Sequence, residues 1–197
     1  LARLHRSFDA RRRGLQIGGG VLALLLLLTL VPAAFGSFRK TPADQIALSY
    51  GGGPFEGNRF QRIVRPGSGL TFNGLLDHWY EYPVTQRNYI VSENPDEGDR
   101  NKADQIIAST SDKVQVRYEV AVYFKLNTDK LRRFHEQIGL KYHAYTDSGW
   151  QKMLNDSFRQ QLEAALQVES RRHDSESLLG DPDAVTAVQD GVAPLLK

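Results

Sequence analysis

Residues 114–126 read VQVRYEVAVYFKL, and their alternation decides the fold class. Val114, Val116, Tyr118, Val120, Val122, Phe124 and Leu126 fall on one side of an extended chain. Gln115, Arg117, Glu119, Ala121, Tyr123 and Lys125 fall on the other. Side chains of a strand point to opposite faces in turn, so one face belongs on a core and the other faces water or a partner. Ser111-Asp112-Lys113 supplies a turn before the strand, and residues 106–109, IIAS, supply its antiparallel partner.

Upstream, residues 43–113 read mainly as strand and turn. Residues 45–50 alternate, with Ile46, Leu48 and Tyr50 on one face. GGGPFEG at 51–57 breaks that pattern. It is no phosphate-binding loop, because no Gly-Lys-Ser/Thr follows to supply the lysine and hydroxyl. RFQRIVRPGSGL contains a short strand that ends at the turn dipeptide Pro66-Gly67. DHWYEYPVTQRNYIVS is rich in aromatic and β-branched residues, and Pro83 belongs at a strand edge or bulge because it cannot donate to a ladder. Trp79, Tyr80 and Tyr82 read as packing residues in preference to a ligand platform. ENPDEGDRNKAD at 93–104 reads as a solvated hairpin loop; its acids lack the spacing of an EF-hand.

Downstream the period changes to that of helices. Asn127 or Thr128 caps a helix carrying Leu131, Phe134 and Ile138, with Gly139 as its stop. A second helix starts at Thr146-Asp147, carries Trp150, Met153, Leu154, Phe158, Leu162, Ala165 and Leu166, and ends near Ser170. A third starts at Asp181-Pro182 with Val185, Val188, Val192 and Leu195 as its apolar face. Strands followed by helices predict an α+β fold.

The N-terminal part obeys different physics. LQIGGGVLALLLLLTLVPAAFGSF at 15–38 contains no charged residue. As a helix it extends roughly 36 Å, enough for a hydrocarbon core of about 30 Å. Leu22, Leu24, Leu25, Leu26, Leu27, Leu28, Leu30 and Val31 are its expected membrane-anchoring residues. A cleaved signal peptide is one alternative, suggested by the basic start and the small residues Ala34 and Gly36. A re-entrant hairpin turning at Pro32 is another. Residues 1–14 form a basic tail with five arginines, including Arg11, Arg12 and Arg13, against Asp9 alone. That bias predicts a cytoplasmic N-terminus and an extracytoplasmic folded domain.

The whole-chain charge of +2 over 197 residues therefore conceals a basic tail, a neutral span and a slightly acidic remainder. The arginine cluster lacks interleaved aromatics and a basic domain behind it, so no nucleic-acid partner is expected. The absence of cysteine excludes disulfides, thiolate metal sites, iron–sulfur clusters, thiol catalysis and S-palmitoylation. The five histidines, at 5, 78, 135, 143 and 173, show no zinc-site spacing, and no GxSxG or HExxH occurs. No catalytic, metal or cofactor residue is singled out, and enzymatic activity ranks last among the functional readings. The chain starts at Leu1 and stops near its third helix, so it reads as a portion of a longer product.

The order of these features resembles the SPFH, or band 7, superfamily: stomatin, prohibitin and flotillin, and the bacterial HflK and HflC proteins. The residues that carry the resemblance are the Pro66-Gly67 turn and the run DHWYEYPVTQR, with Asp77, Tyr82, Pro83 and Arg87. Thr110 and Asp112 before the alternating strand, and the helix of Trp150, complete it. It covers about residues 39–197. It implies a strand-rich SPFH1 subdomain at 39–100 and an α/β SPFH2 subdomain at 101–197, with a coiled coil expected after the chain's end. It also implies lateral assembly, with itself or a related SPFH subunit, into a large ring or cage that organises a membrane microdomain. The expected partners are membrane lipids and a membrane protease of the FtsH type. A single-span extracytoplasmic ligand-binding or sensor domain is the alternative. No cofactor is expected.

Overall fold

Runs of β-branched and aromatic residues, each closed by a Gly, Pro or Asp turn, give nine strands in four small sheets among the described residues. The computed structural model describes residues 20–22, 24–29, 31, 36–54 and 57–196. The basic tail at 1–14, with Arg11, Arg12 and Arg13, lies outside the described residues, as does Leu30. The chain divides into two compact units, Leu1–Glu81 and Tyr82–Lys197. The division comes earlier than the 100/101 boundary expected from sequence. Its reason is pairing: the strand just after residue 82 joins a strand beyond residue 119, so it belongs to the second unit.

In the first unit, β1 (Phe38–Arg39) pairs with β4 (Thr71–Phe72), and β3 (Phe60–Val64), β2 (Gln45–Tyr50) and β5 (His78–Pro83) form a three-stranded sheet in the order β3-β2-β5. β2 and β3 are antiparallel, with Ala47 opposite Val64 and a register shift between Ser49 and Tyr50. β2 is the middle strand, paired along both edges, and both its faces are buried. Ala47 and Ser49 are as buried as Leu48, which corrects the one-sided face read from Ile46, Leu48 and Tyr50. The buried Ser49 hydroxyl is satisfied by Asn73 Oδ1 at 2.9 Å and Gln61 Oε1 at 3.1 Å.

The predicted span is shorter than 15–38 at its far end. Residues 20–22, 24–29, 31 and 36 are helical, Ser37 is a buried turn, and Phe38 already pairs with Phe72 in β1. Among the described residues, no helix is long and apolar enough to cross a membrane.

The second unit is built on a long antiparallel ribbon. The run at 114–126 forms β8 (Gln115–Tyr118) and β9 (Val120–Phe124), split at Glu119. β8 pairs with β7 (Ile106–Ser109), as the sequence predicts, and β9 pairs with β6 (Arg87–Val91). Val91 faces Val120 and Ile106 faces Tyr118. β6 and β7 therefore lie end to end along one partner line, and residues 92–105 loop out opposite Glu119. The acidic stretch 93–104 is thus no hairpin loop but an excursion from one edge. Glu119 closes its base, accepting the Glu93 N–H at 2.9 Å and the Gln105 amide at 3.3 Å.

Helices cover one face of the ribbon. Asn127 caps a 3₁₀ turn, Thr128–Lys130, by accepting the Asp129 N–H at 3.1 Å. The chain continues as α1, built of Leu131–Phe134, a π-helical turn His135–Gly139 and Leu140–Tyr142. Gly139 does not stop this helix. A side chain there would meet the Tyr82 hydroxyl, so glycine serves close packing. The left-handed stop falls to His143, at φ 54°, with the Ala144 N–H returning to Gly139 C=O at 2.9 Å. Thr146 caps α2, which runs through Asp147–Met153, a second π-helical turn Leu154–Phe158, and Arg159–Ser170. A short helix that periodicity did not reveal, α3 (Ser175–Gly180), is capped by Asp174. In α4 (Pro182–Leu195), capped by Asp181, the buried stripe is Ala184, Val188 and Val192; Val185 and Leu195 are exposed, contrary to the sequence reading.

Candidate functional site

Chemistry would need convergent reactive groups. Among the described residues, no group of three or more His, Asp or Glu side chains is placed to hold a metal. In the first unit a cavity of about 390 Å³ is lined by Gln61, Arg62, Phe72, Leu75, Leu76 and Asp77. Its carboxylate, Asp77 Oδ1, accepts the Gly52 N–H at 3.3 Å, and its backbone C=O accepts the Asn73 amide at 3.4 Å. Asp77 thus ties together the loops that surround the cavity.

The first unit also carries an apolar surface. Every described residue from 20 to 31 is exposed; Leu22, Leu24, Leu25, Leu26, Leu27, Leu28 and Val31 are 42–63% accessible. The one hydroxyl among them, Thr29, bonds back to Leu25 C=O at 3.0 Å and Leu26 C=O at 3.1 Å, so it presents no unmet polar group. Phe38, Leu70, Phe72, Leu75 and Leu76 are exposed as well. Phe38 and Phe72 hold each other edge to face at 5.4 Å. Apolar exposure on this scale marks an interaction surface. In the Pro66-Gly67 turn Gly67 sits at φ 69°, with its N–H on Pro42 C=O at 3.0 Å.

The remaining residues singled out by sequence lie in the second unit, or at its start. Tyr82 is fully buried, its hydroxyl 2.6 Å from His135 Nδ1 and its ring edge-on to Phe134. Burial pushes the His135 imidazole down to about 4, with Glu136 pulling weakly the other way. Pro83 ends β5, the position open to a residue without an N–H. Arg87 starts β6 and lays its guanidinium over Trp150, 5.1 Å from the ring centroid. Trp150 stacks on Phe124 at 6.4 Å and joins α2 to the ribbon.

Thr110 and Asp112 build the hairpin. Thr110 Oγ1 accepts the Val114 N–H at 3.1 Å and contacts the Asp112 carboxylate. Asp112 in turn accepts the Ser175 N–H at 3.1 Å and hydroxyl at 2.6 Å, tying the turn to the start of α3. Ser175 first, then Thr110, hold its carboxyl below the usual range.

Three polar anchors carry no local sequence signal. Asp104 is buried and bound by Arg159, Nη1 to Oδ2 at 2.6 Å and Nη2 to the backbone C=O at 2.6 Å, while Arg159 Nε reaches Glu163 at 2.8 Å. Glu119 ties off the excursion, and His135 sits in the α1 π turn against Tyr82. Each needs a partner between 14 and 55 residues away, which periodicity does not expose.

These features define a class first: an α+β module of small sheets with a helical layer, entered from an apolar segment. Residues 39–196 match the SPFH domain / Band 7 family, and the chain belongs to that family. Membership gives it a scaffold-like, membrane-associated role in general terms. No curated protein matches the sequence.

Proposed function

We propose that this chain is a subunit of a membrane-anchored scaffold. It assembles with itself or a related SPFH subunit into a large ring or cage, organises a membrane microdomain, and encloses or regulates membrane proteins such as an FtsH-type protease. The observation that carries this reading is the junction at residue 39. A family-matching domain begins where an uncharged stretch with exposed leucines ends. Membrane lipids are the first partner. The arginine bias sets the N-terminus in the cytoplasm and the SPFH domain outside. The protein acts by binding and assembly, without a catalytic step, a cofactor or nucleic acid.

The test is twofold. Alkaline carbonate should leave the protein in the membrane pellet, and mild detergent should release particles many times the mass of one chain. A strictly monomeric particle refutes the scaffold. It would favour a single-span ligand-binding or sensor domain, for which the cavity of about 390 Å³ in the first unit is the supporting feature.

A further inference from the structure

The ribbon of the second unit has two long edges, and they differ. On the β6–β7 side the outward backbone groups of Ile90, Ser92 and Ser109 are taken, and those of Asn88 and Ile107 make no such bond among the described residues. The Ile90 N–H donates to Asp99 Oδ2 at 2.5 Å, and its C=O accepts the Asp99 N–H at 3.0 Å. Ser92 C=O accepts the Asp104 N–H at 3.1 Å. The Gln167 amide brackets Ser109, at 3.3 Å to its N–H and 3.4 Å to its C=O. On the β8–β9 side, among the described residues, no backbone group of 115–124 bonds outside the ribbon.

Burial differs in the same sense. The inward residues of the guarded line, Tyr89, Val91, Ile106 and Ala108, are at most 2% exposed. Those of the bare line, Val116, Tyr118, Val120, Val122 and Phe124, are all half-exposed. Core-type side chains on a strand with an unpaired edge are completed by a further strand.

The charges of the outer face say which strand fits. Arg117 and Glu119 are neighbours on that face with opposite signs. An antiparallel pairing of two copies centred on Tyr118 sets Arg117 against the partner's Glu119 and, by two-fold symmetry, does so twice. Arg117 is exposed and makes no ion pair within the described chain, so it is available for that role. We propose that a second copy of this chain adds its β8–β9 edge, antiparallel, to this one. The inference rests on the scaffold reading and names one of its contacts, a two-fold pairing that joins two subunits and needs a second, different contact to extend into a ring.

The chain lacks cysteine, so the test is clean. In this register Gln115 opposes the partner's Ala121, and both positions are exposed. Within one chain they stand roughly 20 Å apart along the strand, too far to bridge. The full chain carrying Q115C and A121C, oxidised in mild detergent, should give a disulfide-linked dimer, and either single variant should not. Adding R117E should lower the yield about tenfold by setting glutamates against each other. Large particles without the cross-link, cross-linking by a single variant, or a yield indifferent to R117E overturns the pairing and leaves assembly standing. A wild-type protein that is monomeric overturns the scaffold reading itself.

Discussion

Acidification from pH 6.5 to 4 should remove much of the second unit's stability through one side chain. His135 is 1% exposed, sits in the π-helical turn of α1, and its Nδ1 meets the Tyr82 hydroxyl at 2.6 Å. Burial lowers its titration from 6.5 to about 4. Between those values the unfolded chain binds a proton that the folded chain refuses. Stability is therefore fully present above pH 6.5, declines as pH falls, and is lost below about 4. A displacement of this size corresponds to about 3 kcal/mol at 1.36 kcal/mol per unit, a large share of a typical 5–15 kcal/mol. The carboxylates held low, Asp112 and Asp174, lose their contribution only below the ordinary 3.8, outside the window. The assay is urea unfolding followed by Trp150 fluorescence in a W79F background. With a slope of about 1–3 kcal/mol/M, the midpoint should fall by roughly 1–3 M from pH 7 to 4. H135N removes the titrating group and should flatten the dependence. Equal pH dependence in H135N and the parent would refute the reasoning.

R159M leaves the buried Asp104 carboxylate with Arg100 Nε, at 3.8 Å, in place of its 2.6 Å partner, and should cost about 3 kcal/mol in chemical denaturation, whereas D104L with R159M should recover most of the loss. G139A drives a methyl group into the Tyr82 hydroxyl and should cost about 1–3 kcal/mol; its penalty should shrink when combined with Y82F. Asp112 should titrate below the usual carboxylate range by NMR, and S175A should move it back up, since Ser175 is the first cause of its shift. A single cysteine at Gly98, in the excursion, should react with an impermeant reagent from the extracytoplasmic side; labelling from the cytoplasmic side alone refutes the orientation.

Local physics made some elements legible from the sequence. The alternation of 114–126 reads directly because each side chain's face follows from its place in the strand. The starts of α2 and α4 read because Thr146 and Asp181 bond amides two or three residues on. What failed to read was settled by distant partners. Gly139 resembles a helix stop, but Tyr82, far upstream, makes it a packing glycine. The stretch 93–104 resembles a solvated loop, yet Asp104 is buried by Arg159, 55 residues later. The stripe of α4 moved because Gly191 and the residues around it close on Glu169 of α2, a contact that no window within α4 contains.

That excursion also explains why the two edges of the ribbon differ. A strand that pairs with two partners must break where they meet, and here the break is Glu119. Its carboxylate converts the gap into a tie, holding the first and last residues of the loop by two hydrogen bonds. The loop then folds back, so that Asp99 takes both backbone groups of Ile90, while the Gln151 amide reaches Asp99 Oδ1 at 3.1 Å and fastens the loop to α2. The same residues that read as a solvated hairpin loop in the sequence therefore cap the Ile90–Ser92 part of one edge against unwanted strand addition. D99A should therefore add a second, competing edge. Assemblies of that variant should become heterogeneous in size, while the Q115C/A121C cross-link persists. A variant with unchanged, uniform particles would mean that Asp99 does not guard the edge.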